Sequence, residues 1–139
     1  MSCMLRVGGT DLDVDALLSE CEISPVSMSR KGEPRFPASQ PTGPVHMSSA
    51  ANFDVSGADF SELQIQVNDA LVFLRLHESF VRRLRSFPGV EDLCLDFGSN
   101  IRPPGWCSFS FPPELLLAAG SMGVSLVLSV YPMSDDEGE

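Results

Sequence analysis

The chain has 139 residues, of which 43% are hydrophobic, and 19 acidic residues against 9 basic residues give it a net charge of −10. This length fits one domain, and the hydrophobic fraction is too high for a disordered chain. The charge disfavours nucleic acid and anionic lipid as partners, because both repel an acidic surface. We therefore expect one globular domain over residues 1–132 and an acidic disordered tail over residues 133–139.

The N-terminal third begins with a clear alternation of side chains. Cys3, Leu5 and Val7 recur at every second position, which predicts a strand with one apolar face. Asp13 is a typical N-cap, so a short helix is expected directly after it. Residues 26–29 then predict a second extended segment.

The middle of the chain combines a long loop pattern with the longest helical pattern. Residues 29–44 are rich in Pro and Gly and predict a loop. A strand is expected from Val45 toward Val55. Apolar residues then recur at three and four positions over residues 63–87, which predicts a helix, with a bend near His77 where the pattern loses register.

The C-terminal part alternates again over residues 93–97, which predicts a strand, and residues 98–110 predict another loop. Residues 115–133 are uncharged and nearly long enough to span a bilayer. Gly120 and Gly123 interrupt this stretch, and its periodicity changes from helical to alternating after Gly123. The pattern therefore favours a helix, a turn and a final strand over a membrane span.

These elements predict the order strand–helix–strand–strand–helix–strand–helix–strand. Helical crossovers join parallel strands, whereas a short central connection joins an antiparallel pair. The fold class that follows is α+β, a two-layer sandwich in which helices pack on a mixed β-sheet. We expect a ferredoxin-like core with an added helix–strand unit.

One acidic motif has the spacing of a calcium-binding loop. Asp11, Asp13, Asp15 and Glu22 occupy positions one, three, five and twelve of that loop. The sixth position, which needs Gly for a sharp turn, is Ala16, and the stretch itself predicts a helix. Acidic residues that favour the dipole at a helix N-terminus explain the pattern better.

Other catalytic and metal-binding motifs are missing from the sequence. Its four cysteines form no C-x-x-C pair, its two histidines form no metal-binding motif, and it has no nucleophile elbow or phosphate-binding loop. We therefore predict no catalytic residues, no metal and no cofactor. No export signal is apparent, so the cysteines are expected to be packed free thiols in the cytoplasm.

An interaction surface is the remaining candidate site. The turn formed by residues 30–33 places basic residues in an acidic protein, and Trp106 lies in a Pro/Gly-rich segment where an exposed aromatic residue would anchor a partner. A solvated turn and a tryptophan turned toward the core are the alternatives. The candidate residues are Asp11, Asp13, Arg30, Lys31, Glu33 and Trp106.

The residues at both ends of the chain resemble the bacterial domain of unknown function 4279 family. Over residues 5–33 the similarity consists of Asp11 and Asp13 after a Gly-ended strand, then Pro25 and the turn at residues 31–33. Residues 112–132 are similar to the family's closing helix and strand. Members often carry Gly followed by an aromatic residue after the basic turn, whereas here Pro44 follows Gly43. The resemblance implies a small intracellular α+β protein without an assigned activity, and by analogy an immunity protein.

The leading hypothesis is a non-catalytic cytoplasmic protein-interaction module, in its specific form an immunity-like inhibitor that masks a basic partner. The alternative is a small-molecule-binding protein or an enzyme, with a pocket between the sheet and loops 29–44 and 98–110. A third hypothesis is a structural subunit that dimerises through a sheet edge. The expected state is a monomer or a homodimer, with no nucleic acid or membrane partner.

Overall fold

The computed structural model describes residues 2–101 and 108–132, and within them it contains seven strands and four helices. In chain order they are β1 (Cys3–Gly9), α1 (Val14–Ser19), β2 (Ser27–Ser29), β3 (Pro34–Phe36), β4 (Gln40–Val45), β5 (Ser49–Ser56), α2 (Leu63–Leu76), α3 (Glu78–Ser86), β6 (Asp92–Ile101), α4 (Pro113–Ser121) and β7 (Ser125–Pro132). Trp106 and the predicted tail, residues 133–139, lie outside the described residues.

Five strands form the main sheet in the order β2-β5-β1-β6-β7. Neighbouring strands are antiparallel, except β6 and β7, which are parallel. Strands β2, β5, β1 and β6, connected through α1 and the α2–α3 pair, form the split β-α-β arrangement of a ferredoxin-like core. Helix α4 and strand β7 are the added unit. The predicted α+β two-layer sandwich is therefore confirmed.

The helices pack against one face of this sheet and enclose the core. Leu5 and Leu95 lie opposite each other on β1 and β6, and both are fully buried. The rings of Phe53 on β5 and Phe80 on α3 meet edge to face with their centroids 5.3 Å apart. Since burying one large apolar side chain stabilises a fold by roughly 1.5–3 kcal/mol, this cluster is the main source of stability.

The long helical segment breaks at His77, as the sequence predicts. The backbone N–H of His77 donates to the carbonyl of Phe73, which ends α2. His77 then has φ −114° and ψ 32°, outside the helical region, and α3 begins at Glu78. The break lets α3 change direction, so that Phe80, Val81 and Leu84 reach the core.

Two predicted loops are wrong in part. Within residues 29–44, strands β3 and β4 form a two-stranded antiparallel ribbon that continues to Val45, and the strand predicted from Val45 to Val55 begins only at Ser49. Both strands of a ribbon are edges, so the missing N–H groups of its prolines can face solvent. Residues 98–101 belong to β6, because they pair with β7 as far as Ile101 and Pro132.

The uncharged C-terminal stretch is divided into α4 and β7. Gly123 has φ +73° between them, a conformation that suits Gly because it lacks a Cβ. Helix α4 has nine residues, and none of the helices in residues 2–101 and 108–132 is both long and apolar enough to cross a bilayer. The helix–turn–strand prediction is therefore confirmed.

Candidate functional site

The face of the sheet opposite the helices carries polar side chains that are hydrogen-bonded to one another. Alternating side chains of a strand point to opposite faces, so Arg6 and Asp96 point away from the core that Leu5 and Leu95 form. We call this side the open face. It carries polar side chains from all five strands.

These polar side chains form a hydrogen-bonded chain that we call the polar ladder. Arg6 on β1 donates from Nε to Oδ1 of Asn52 at 3.1 Å and from Nη2 to Oδ2 of Asp96 at 2.9 Å. Asn52 on β5 donates to Oγ of Ser27 on β2 at 2.9 Å. Ser129 on β7 donates to Oδ1 of Asp96 on β6 at 2.8 Å. The polar ladder therefore crosses the whole sheet.

An aromatic pair closes one end of the open face. The rings of Phe60 and Tyr131 lie 5.3 Å apart, and the Phe60 ring covers Gly98 on β6. A Cβ added to Gly98 would lie 2.4 Å from this ring, so the ring can rest on the strand only because residue 98 is Gly.

A cleft of about 500 Å³ lies toward the other end of the open face. Arg6, Arg85, Asp92, Cys94 and Ser125 are among its lining residues. The stem of Arg85 crosses Gly123, where a Cβ would lie 3.0 Å from Cδ of the arginine. Within the described parts of the chain, Arg85 forms no ion pair, so its guanidinium is free to contact a ligand.

The cleft lacks the properties of a nucleophilic site. Burial raises the pKa of the Cys94 thiol, and the nearby Arg6 guanidinium opposes this effect only in part. The thiol is therefore protonated near neutral pH and is a poor nucleophile. No histidine is among the residues that line the cleft, so they offer binding groups without a nucleophile–histidine pair.

The predicted basic turn lies beside helix α1, and its arginine is paired with carboxylates of α1 and of the turn itself. Arg30 forms a two-point contact with Asp15, with Nε and Nη2 at 2.9 and 2.8 Å from the carboxylate oxygens, and Nη1 lies 3.4 Å from Glu33. The hydrogen bond to Arg30 lowers the pKa of Asp15, and the same contact raises that of Arg30. The backbone N–H of Lys31 donates to Oγ of Ser49. The turn is therefore less available to an anion than its sequence predicts.

The structure brings only part of the predicted interaction surface together. Arg30 and Glu33 are in contact, but their partner on α1 is Asp15, which the prediction did not include. Asp13 accepts from the N–H of Ala16 as the predicted N-cap, and Asp11 lies against Gly89 in another turn. Trp106 falls outside the described residues.

The calcium-like acidic motif is divided among different contacts. Asp13 caps α1, Asp15 contacts Arg30, and Glu22 accepts from Nη2 of Arg83 at 2.6 Å. Among residues 2–101 and 108–132, no group of three or more His, Cys, Asp or Glu side chains is placed to hold a metal ion.

The alternative hypothesis places a pocket between the sheet and loops 29–44 and 98–110. A cleft of about 320 Å³ does lie at the first of these segments, lined by residues of β2 and of the ribbon, among them Met28 and Arg35. Strand β5, which follows the ribbon, begins at Ser49 opposite Gly9, whereas Phe97, which precedes the second loop, lies opposite Cys3. Gly9 and Cys3 are the two ends of β1, so the two segments lie at opposite ends of the sheet. The cleft beside Arg85 involves neither segment.

The polar ladder was missed by the sequence-based search for motifs. Its only signal is one polar residue between two apolar ones in a strand, as at Arg6 and at Asp96. That pattern predicts which side chains face away from the core, but it does not predict which of them meet.

Comparison of the chain with protein-family models, curated proteins and solved structures gives no significant match. The resemblance to the domain of unknown function 4279 family therefore remains a prediction.

Proposed function

We propose that the chain is a non-catalytic protein-interaction module that binds a basic partner through its open face. The polar ladder is the observation that carries this proposal. Its hydrogen bonds hold side chains of all five strands in place before a partner binds. Less side-chain entropy is then lost on binding, which favours affinity.

The charge distribution supports a basic partner. Among the residues that the structure describes, four arginines form ion pairs, namely Arg6, Arg30, Arg82 and Arg83. Exposed carboxylates remain on and around the open face: Asp54 on β5, Asp59 in the loop after it, and Asp92 at the start of β6. Such a surface speeds association with a positively charged protein.

An immunity-like inhibitor of a basic toxin in the cytoplasm is the specific form of this proposal. The net charge of −10 and the resemblance described above support it. Inhibition by masking needs a preformed surface and no catalytic group, and the polar ladder meets that requirement.

The test begins with affinity capture of partners from the source cells and their identification by mass spectrometry. Each partner is then titrated calorimetrically against the wild type, an Asp54→Lys/Asp92→Lys variant and a control variant, Glu20→Lys, at the exposed end of helix α1. We expect a basic partner whose affinity falls about tenfold or more with the open-face variant and changes little with the control. Equal affinities for the two variants, or an association rate independent of salt, would contradict the proposal.

Small-molecule binding in the cleft is a second candidate function. The observation that favours it is the free guanidinium of Arg85 in a cleft of about 500 Å³ that also contains Arg6 and Ser125. A panel of small carboxylates and phosphates in a thermal-shift assay tests it. Stabilisation of the wild type that is lost in Arg85→Gln supports this function, and no stabilisation by any compound contradicts it.

A further inference from the structure

Strand β7 forms a long and uncharged edge of the main sheet. Its eight residues, SLVLSVYP, contain no charged side chain, and no strand of the described chain pairs with its outer side. The opposite edge, β2, has only three residues. Exposed edges of this length usually carry charges or bulges that prevent pairing with another chain. β7 has neither feature in its pairing with β6.

The side chains around this edge are also apolar. Val127, Val130 and Tyr131 are 38%, 43% and 52% exposed. Helix α4 contacts β7 and presents Leu116, which is 51% exposed. The strand edge and the helix that contacts it therefore both carry exposed hydrophobic groups.

The charge pattern indicates what covers this edge. Residues 113–132 contain a single charged residue, Glu114, in a chain with a net charge of −10. A basic partner gains little from an uncharged surface, whereas two copies of an acidic protein can approach each other only where their charges are sparse. A second copy of this chain is thus the occupant that fits.

We propose that β7 is a homodimer interface, in which it pairs antiparallel with β7 of a second copy. A two-fold axis brings the same patch of both copies together and requires this antiparallel direction. Backbone groups on the outer side of β7 then find partners, and the main sheet continues from one copy into the next.

The antiparallel direction also keeps the acidic termini apart. Pro132, which the acidic residues 135–139 follow in sequence, then lies at opposite ends of the paired strands. Eight residues span about 27 Å, well beyond the screening length of about 8 Å at physiological ionic strength. Specific interfaces bury roughly 800 Å² per partner, more than one strand edge offers, so Leu116 and its helix belong to the interface as well.

The first experiment measures the mass of the full chain by light scattering and sedimentation equilibrium at increasing concentration. We expect a species of twice 15.0 kDa. Val130→Lys places a charge on the edge and should raise the dimer dissociation constant about tenfold or more. Val45→Lys is the matched control, because Val45 also lies in a strand and is 42% exposed against 43% for Val130. It should leave the dissociation constant unchanged.

Hydrogen exchange of the wild type tests the same interface without relying on a variant. Alternate backbone amides of β7 face away from β6, and they should exchange more slowly as the protein concentration rises. A monomer at all concentrations, a dimer that tolerates Val130→Lys, or open-ended oligomers would each overturn the proposal. Because β7 forms the edge of the sheet, binding of a basic partner to Asp54 on the open face should persist in Val130→Lys, so the two proposals fail separately.

Discussion

Nη2 of Arg6 and Oδ2 of Asp96 lie 2.9 Å apart across the β1–β6 pair. The Asp96 side chain is only 12% exposed, whereas that of Arg6 is 43% exposed. The second carboxylate oxygen of Asp96 accepts from Ser129, so the carboxylate joins three strands. The contact therefore fixes the positions of side chains on the surface that we propose for partner binding.

Arg6→Ala should destabilise the fold by about 1–2 kcal/mol, because it leaves the poorly exposed carboxylate of Asp96 without its charged partner. The exposure of Arg6 keeps the expected cost below that of a fully buried pair. Urea unfolding measures the change. Arg75→Ala, an exposed arginine without a carboxylate partner among the described residues, is the control and should change stability little. Equal costs for both variants would show that the polar ladder contributes nothing.

Two glycines should respond in opposite ways to the same substitution. A Cβ on Gly9 would lie 2.0 Å from the backbone oxygen of Gly89, so Gly9→Ala forces the end of β1 away from the turn at Gly89 and should cost more than about 2 kcal/mol. Gly120 lies in α4 with nothing within 4 Å of its added Cβ, so Gly120→Ala should stabilise by roughly 0.5–1 kcal/mol. Thermal unfolding of both variants measures these effects, and a change of the unfolding temperature in the same direction for both would contradict the geometry.

The sequence predicts those parts of the fold that repeat at a fixed period. Alternation at Leu93, Leu95 and Phe97 and the helical pattern before His77 depend on neighbours in the chain, and both predictions hold. The ribbon of β3 and β4 was missed because its prolines and glycines are typical of loops. The polar ladder was missed because Arg6 and Asp96 are 90 residues apart, and only the assembled sheet brings them together.

Removal of Arg30 should raise the pKa of Asp15 toward its ordinary value of 3.8, because the Arg30 hydrogen bond is the main cause that lowers it. Because the pKa of Asp15 is lower in the folded state, its carboxylate stabilises the fold at pH values above that ordinary pKa. This stabilisation is lost as the pH falls through the folded pKa. NMR titration of Asp15 in Arg30→Gln measures the shift. Lys31→Gln removes a neighbouring charge without removing the hydrogen bond, so an equal shift there would contradict the assigned contact.

Alkaline pH should destabilise the fold through Cys3. Burial raises the pKa of this thiol, and the carboxylates of Asp96, Asp54 and Asp69 raise it further. The unfolded chain loses this proton near pH 9 while the folded chain keeps it, so stability declines as the pH rises through that value. One such thiol lowers the free energy of unfolding by up to about 1.4 kcal/mol for each pH unit above that value.

Urea unfolding at about pH 7 and about pH 10 compares the wild type with Cys3→Ala and with the less buried Cys21→Ala. The decline in stability should be smallest in Cys3→Ala. If all three proteins lose the same stability between the two pH values, Cys3 is not the responsible group.

Gln66 should connect α2 to β6 through hydrogen bonds more than through packing. It is fully buried, and its Nε2 donates to the carbonyl of Gly98 at 2.8 Å and to that of Asp59 at 3.0 Å. Gln66→Leu fills the same space with an apolar side chain but removes both donated hydrogen bonds, so it should cost about 1–3 kcal/mol. Gln66→Glu should cost more at neutral pH, because an ionised carboxylate cannot donate and would face two carbonyl oxygens.

The pH dependence of Gln66→Glu distinguishes a role of residue 66 in hydrogen bonding from a role in packing. Protonation of the new carboxyl restores one hydrogen-bond donor, so the pKa of this carboxyl is raised in the folded state. The loss of stability caused by Gln66→Glu should therefore shrink as the pH falls toward the ordinary pKa of Glu, about 4.3. Gln64→Glu on the exposed side of the same helix is the matched control and should show no such recovery. If the two variants follow the same pH profile in urea unfolding, Gln66 acts as a space-filling residue and the α2–β6 contact depends on packing alone.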